Sequence, residues 1–124
     1  MGDDISDMSA ILLDGDYYDF VMSGRKMREG LTWIAEDRLI PLKALAWLNL
    51  TRGQEAGAPI RPGDIRKHLD DVVNLSNLLS PQLRISLGYR ISADLQEFIA
   101  KVNVDAYPDF AQVKGRLVLA YGLE

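Results

Sequence analysis

Apolar residues recur along this chain with two different periods, and the changes between them predict where the elements lie. Residues 9–13 (SAILL) form a short, largely apolar run of strand length. Tyr17, Phe20, Val21 and Gly24 then follow helical spacing. A short helix is expected over 16–24, closed by Gly24 as a left-handed cap. Arg25 to Arg28, the Glu29-Gly30 turn and the run from Leu31 to Ala35 read as a hairpin, whose polar first arm suits only an edge position.

From residue 36 the period becomes helical. A strong helix is expected over 36–51, with Asp37 near its start and Pro41 inside its first turn, where proline is tolerated. Residues 53–62 (GQEAGAPIRP) read as loop. A second long helix follows over 64–79, preceded by Pro62-Gly63 and stopped by Ser80-Pro81. Residues 82–89 carry no clear period. Ser92 can cap a third helix reaching about Lys101, and a last helix is expected from Pro108 or Asp109 towards Tyr121 and Gly122. The fold class is therefore α+β and mostly helical: short amino-terminal strands or a hairpin, then a helical body of about four helices.

Composition narrows the function classes. The 124 residues suit one modest core, and 48% hydrophobic with 26% charged residues is the balance of a soluble globular chain. With 14 basic against 18 acidic side chains, the formal charge of -4 gives no general affinity for phosphate backbones, so nucleic-acid contact requires a local patch. The absence of cysteine excludes disulfides, thiolate zinc sites and a cysteine nucleophile, and fits a reducing cytosol. The acidic start (Gly2, Asp3, Asp4) is unlike a signal peptide, and no apolar run approaches the roughly 20 residues of a membrane span. A cytoplasmic protein is expected.

A few polar residues stand where apolar ones are expected. Lys43 falls on the helical wheel between Leu39, Ala46, Trp47 and Leu50. It either snorkels at the helix edge or points into a cleft that takes a phosphate group. On the next helix His68, the only histidine, lies at the edge of the stripe of Ile65, Leu69, Val72, Val73 and Leu79. Beside it run Lys67, Asp71 and Asn74 at i, i+4, i+7, a row that also reads as a surface ion pair. One histidine without cysteine argues against a transition-metal site. Arg25, Lys26 and Arg28 form a small basic cluster. Asp14 and Asp16 are spaced as a D-x-D pair, although acidic turns, here including Asp19, also cap helices.

The strings SAILLDGDYYDFVMSGR, LIPLKALAWLNLTR and DIRKHLDDVVNL, in that order and spacing, resemble the later part of AbiEii/AbiGii-type nucleotidyltransferases. These are the toxin components of bacterial type IV toxin–antitoxin and phage-defence systems. The resemblance covers about residues 5–80. It implies a polymerase-β-like fold in which an early Gly-Ser and Asp-x-Asp motif holds two magnesium ions against an NTP. By position Lys43 matches the family's later helix lysine and Asp71 the aspartate of the next helix, which implies catalytic roles for both. Lys67 and His68 would contact the nucleotide or the acceptor. No metal ligand is carried over, because no Gly-Ser pair followed by Asp-x-Asp is present and Asp14-Gly15-Asp16 lies where relatives have an acidic turn.

The resemblance thus divides the chain into residues 1–35, a strand-rich remnant of the nucleotidyltransferase domain, and 36–124, a helical domain. It implies a carboxy-terminal half that is inactive alone, whether an engineered domain, a truncated gene product or one half of a split protein. Mg2+ and NTP belong to the intact enzyme, which would transfer a nucleotide to RNA or another acceptor, including the 3′ end of tRNA. Expected partners are an antitoxin, the amino-terminal half or a second copy. A non-enzymatic interaction module is the alternative, and a helical domain in which Lys43 merely snorkels is the third.

Overall fold

The structure, a computed structural model, describes residues 10–123. Among them, helix α1 (Gly15–Ser23) leads into a hairpin of β1 (Arg25–Arg28) and β2 (Leu31–Ile34). Four helices follow: α2 (Glu36–Glu55), α3 (Pro62–Ser76), α4 (Tyr89–Lys101) and α5 (Phe110–Tyr121). The mostly helical α+β architecture is the one the periodicity predicts.

The hairpin turns at a pair of left-handed residues, of which Gly30 takes that conformation without strain. Glu29 has φ 52° and Gly30 φ 80°, the two positive angles that a tight two-residue turn requires. Arg25 pairs with Ile34, Lys26 with Trp33, Met27 with Thr32 and Arg28 with Leu31. The apolar run before α1 is not a strand. Ala10 to Leu12 are helical, Ser9 lies outside the described residues, and the run buries Ile11 in the core with Leu12 packed partly against it, while Leu13 stays 88% exposed. The Asp14 carboxylate caps α1 by accepting from the Asp16 amide at 2.9 Å. Gly24 ends that helix at φ -104°, not in the left-handed form expected. Its missing side chain matters for a different reason: an added Cβ would lie 2.6 Å from Cδ of Arg38, whose guanidinium covers the Phe20 ring at 4.6 Å.

Helix α2 outlasts the expected residue 51 and runs to Glu55. Its residues Ile40, Pro41, Leu42 and Ala44 to Leu48 are all buried, so it forms the centre of the fold. Pro41 sits in the second turn of the helix rather than the first. Having no N–H, it leaves the carbonyl of Asp37, four residues back, without its helical donor. The Tyr121 hydroxyl, from the far end of α5, donates to that oxygen at 2.5 Å. One helix therefore repairs a gap in another. Tyr121→Phe should cost about 1 kcal/mol in denaturant unfolding. In a Pro41→Ala background the new amide takes the carbonyl, and the cost of Tyr121→Phe should fall towards zero. Additive effects in this double-mutant cycle would refute the repair.

Helix α3 starts with Pro62 in its first turn, where the missing amide is harmless. Helix α4 begins three residues before Ser92, with Gly88 at the cap, because Ser92 is already the first-turn residue whose amide bonds Gly88 O at 3.0 Å. Helix α5 ends at Gly122 in the left-handed conformation, φ 65° and ψ 36°. The aperiodic stretch before α4 is tied down by the Ile85 amide, which donates to Ala120 O at 2.7 Å. One continuous core joins Ile11, Tyr17, Phe20 and Val21 to α2, α3, α4 and α5. Trp47, Phe98 and Phe110 meet edge to face at its centre, with centroids 5.3 and 5.5 Å apart. Among the described residues no helix is long and apolar enough to cross a membrane.

Candidate functional site

Helices α2 and α3 pack side by side, and their seam carries the two residues that the sequence singles out. The amine of Lys43 lies 2.8 Å from the carboxylate of Asp71. Lys43 retains 17% side-chain exposure and Asp71 32%, so the pair sits at the mouth of the seam, partly withdrawn from water. The wheel explains the placement. Ala46 and Trp47, which flank Lys43 on the wheel, are buried, while Leu39 and Leu50 beside them are only partly so, and Lys43 lies where this apolar face reaches the surface. On α3, burial of His68, Leu69 and Val72 turns Asp71 towards that same sector.

Lys67 and His68 are placed differently from one another. Lys67 is exposed, one helical turn before Asp71. His68 is 0% exposed and belongs to the core side of α3. A direct contact between His68 and a nucleotide or acceptor has no surface to occur on in this structure, whereas Lys67 could take part in one. On the outer face of α3 an i,i+4 pair forms between Arg66 and Asp70, at 3.2 Å. Tyr107 joins it, donating to Asp70 at 2.6 Å beneath the Arg66 guanidinium, 4.4 Å from its ring.

A second polar group lies where α1 meets α4, and sequence reasoning missed it. Arg90 contacts the carboxylate of Asp14 directly and lies 3.6 Å from that of Asp16. Next to it the Tyr17 hydroxyl donates to Asp94 at 2.8 Å. A cleft of about 260 Å³ runs between them, lined also by Asn49 and Arg52. Burial, reinforced by the neighbouring Asp94 charge, pushes the Tyr17 phenol far above its ordinary range. Local spacing gives no hint of the pairing of α1 with α4. Only the acidic turn leaves a mark in the sequence.

These contacts decide whether Asp14 and Asp16 fit a magnesium ion. A guanidinium stands where the cation would stand, and one Asp14 oxygen already caps α1. The pair is structural and does not fit the metal. Among the described residues no group of three His, Cys, Asp or Glu side chains is arranged to hold a metal ion. Lys43 and Asp71 nonetheless offer defined chemistry. A lysine anchored by one carboxylate at a seam presents its remaining N–H groups to an anion, and low local dielectric strengthens that attraction. Neither residue lines any of five clefts on the surface.

Comparison of the chain with protein-family models, with characterised proteins and with solved structures finds no match.

Proposed function

We propose that this chain is the carboxy-terminal part of a nucleotidyltransferase of the AbiEii/AbiGii type, contributing Lys43 and Asp71 to the nucleotide site. The observation that supports the reading most is the 2.8 Å contact between these two residues, which come from two separate sequence blocks. In this reading Lys43 neutralises charge on the triphosphate of an NTP, and Asp71 holds the amine in position. In this reading Lys67, exposed on the same helix, meets a phosphate or the acceptor. Magnesium would supply charge neutralisation at the reacting phosphorus in the intact enzyme. Its ligands must come from a Gly-Ser and Asp-x-Asp segment that this sequence does not contain. The protein then works in the cytoplasm, with RNA as acceptor only in the intact enzyme and with an antitoxin as a regulatory partner.

The test is reconstitution. The chain alone, supplied with Mg2+, each labelled NTP and RNA, should give no transfer. Addition of a segment carrying Gly-Ser and Asp-x-Asp should give transfer that Lys43→Ala abolishes. Turnover by the chain alone, or a reconstituted enzyme indifferent to Lys43→Ala, would sink the proposal.

A second reading is favoured by Leu13, an apolar side chain left 88% exposed beside the amino-terminal helical turn. On that reading the chain is a non-enzymatic interaction module that covers this end with an antitoxin, a complementary half or a second copy. Light scattering that shows a monomer at high concentration, together with no retained partner, would count against it.

A further inference from the structure

The hairpin is an element whose form outruns its structural need. An isolated two-stranded sheet is marginal in water, and every residue of β1 is exposed. Cross-strand pairing sorts its side chains into two faces. Arg25, Met27, Thr32 and Ile34 share one. Ile34 is partly buried against the core and Arg25 donates to Met22 O at 3.0 Å, so the base of that face meets the body while Met27 stays 70% exposed. The other face carries Lys26 opposite Trp33 and Arg28 opposite Leu31, and all four are exposed. Trp33 is 45% exposed and Leu31 71%.

We propose that this outer face binds single-stranded nucleic acid, with a base stacked on Trp33 and adjacent phosphates held by Lys26 and Arg28. The combination selects the ligand. One cation directly opposite an exposed aromatic ring and a second diagonal to it, on the same face, match the alternation of phosphate and base along a single strand. The chain as a whole is acidic at -4, so these cations form a local site rather than part of a general basic surface. A second copy is the poorer occupant, because a two-fold contact through this face would set Lys26 and Arg28 of each chain against those of the other. The inference rests on the hairpin alone and needs neither metal nor NTP, so its failure and that of nucleotidyl transfer are separable.

The chain has two tryptophans, and Trp47 is buried at 8% exposure, so emission changes on ligand binding report mainly on Trp33. A labelled single strand of about 12 nucleotides should bind the whole protein, raise its own anisotropy and quench tryptophan emission. Trp33→Ala should weaken binding about tenfold or more, while Trp33→Phe, which keeps a stacking surface, should retain most of it. The double variant Lys26→Glu, Arg28→Glu should reduce the slope of log affinity against log salt by about 1.4, the value for two phosphates on a single strand. All three variants change exposed side chains, and an unaltered circular dichroism melt confirms that they fold. Three results would overturn the proposal: no binding, binding that inorganic tripolyphosphate displaces without any tryptophan quenching, or Trp33 emission that depends on protein concentration and ignores the oligonucleotide.

Discussion

Replacing Asp71 with alanine should destabilise the protein by about 2 kcal/mol, roughly twice the cost of Lys43→Met. The asymmetry follows from access to water. Lys43 keeps 17% of its side-chain exposure, against 32% for Asp71. Removal of the carboxylate therefore strands an ammonium group at the less hydrated end of the pair. Removal of the amine leaves a carboxylate that water reaches more easily, and methionine preserves the apolar stem that packs along α2. A double variant, Lys43→Met with Asp71→Leu, should recover to within about 1 kcal/mol of the parent, because no charge is then left unpaired. Urea unfolding of all four proteins measures the cycle, and equal single-variant costs would show that exposure does not control the energetics. The same variants separate structure from function. A seam ion pair that only joins two helices would leave the reconstituted enzyme active in the folded double variant. A pair that meets a triphosphate would leave that enzyme folded and lower its turnover by about a hundredfold or more.

What can be read from the sequence divides along a physical line. The hairpin is legible because its signal is local: Glu29-Gly30 supplies the turn, and the flanking residues pair directly across it. The long helices are legible because burial imprints a period on them. The SAILL run misleads because an apolar segment of five residues has the same period content as strand or as buried helix. The placement of Pro41 misleads for another reason. Its cost depends on whether some distant donor can satisfy Asp37 O, and Tyr121 lies far along the chain. The candidate site shows the same limit. Spacing marks Lys43 and Asp71 as oddities on two helices, but only packing of α2 on α3 sets them 2.8 Å apart. Arg90 with Asp14, and Tyr17 with Asp94, leave no trace in the sequence, because neither helix is unusual until the other lies against it.

Raising the pH above 10 should destabilise the protein by about 3 kcal/mol per pH unit, and two buried tyrosines account for most of the slope. Burial, then the charge of Asp37, pushes the Tyr121 phenol far above its ordinary range. Burial, then the hydrogen bond and charge of Asp94, does the same to Tyr17. Both hydroxyls donate, Tyr121 to Asp37 O and Tyr17 to Asp94, and a phenolate can do neither. The sign follows from comparing the two states. Below pH 10 folded and unfolded chains both hold these protons, so the full stabilisation is present and stability is indifferent to pH through this route. Above pH 10 the unfolded chain releases its protons while the folded chain, with its raised phenols, does not. Each such group then favours unfolding by about 1.4 kcal/mol per unit. By pH 12 the loss is about 5 kcal/mol, comparable with the whole stability of a small domain. Unfolding followed by circular dichroism should therefore coincide with a cooperative rise in tyrosinate absorbance, rather than follow the gradual titration of exposed phenols. Tyr17→Phe should remove about half of the slope, although it also leaves Asp94 without its donor and lowers stability at neutral pH. A tyrosinate signal that reaches the amplitude of all five tyrosines while the helical signal persists would show that neither hydroxyl is held as the structure places it.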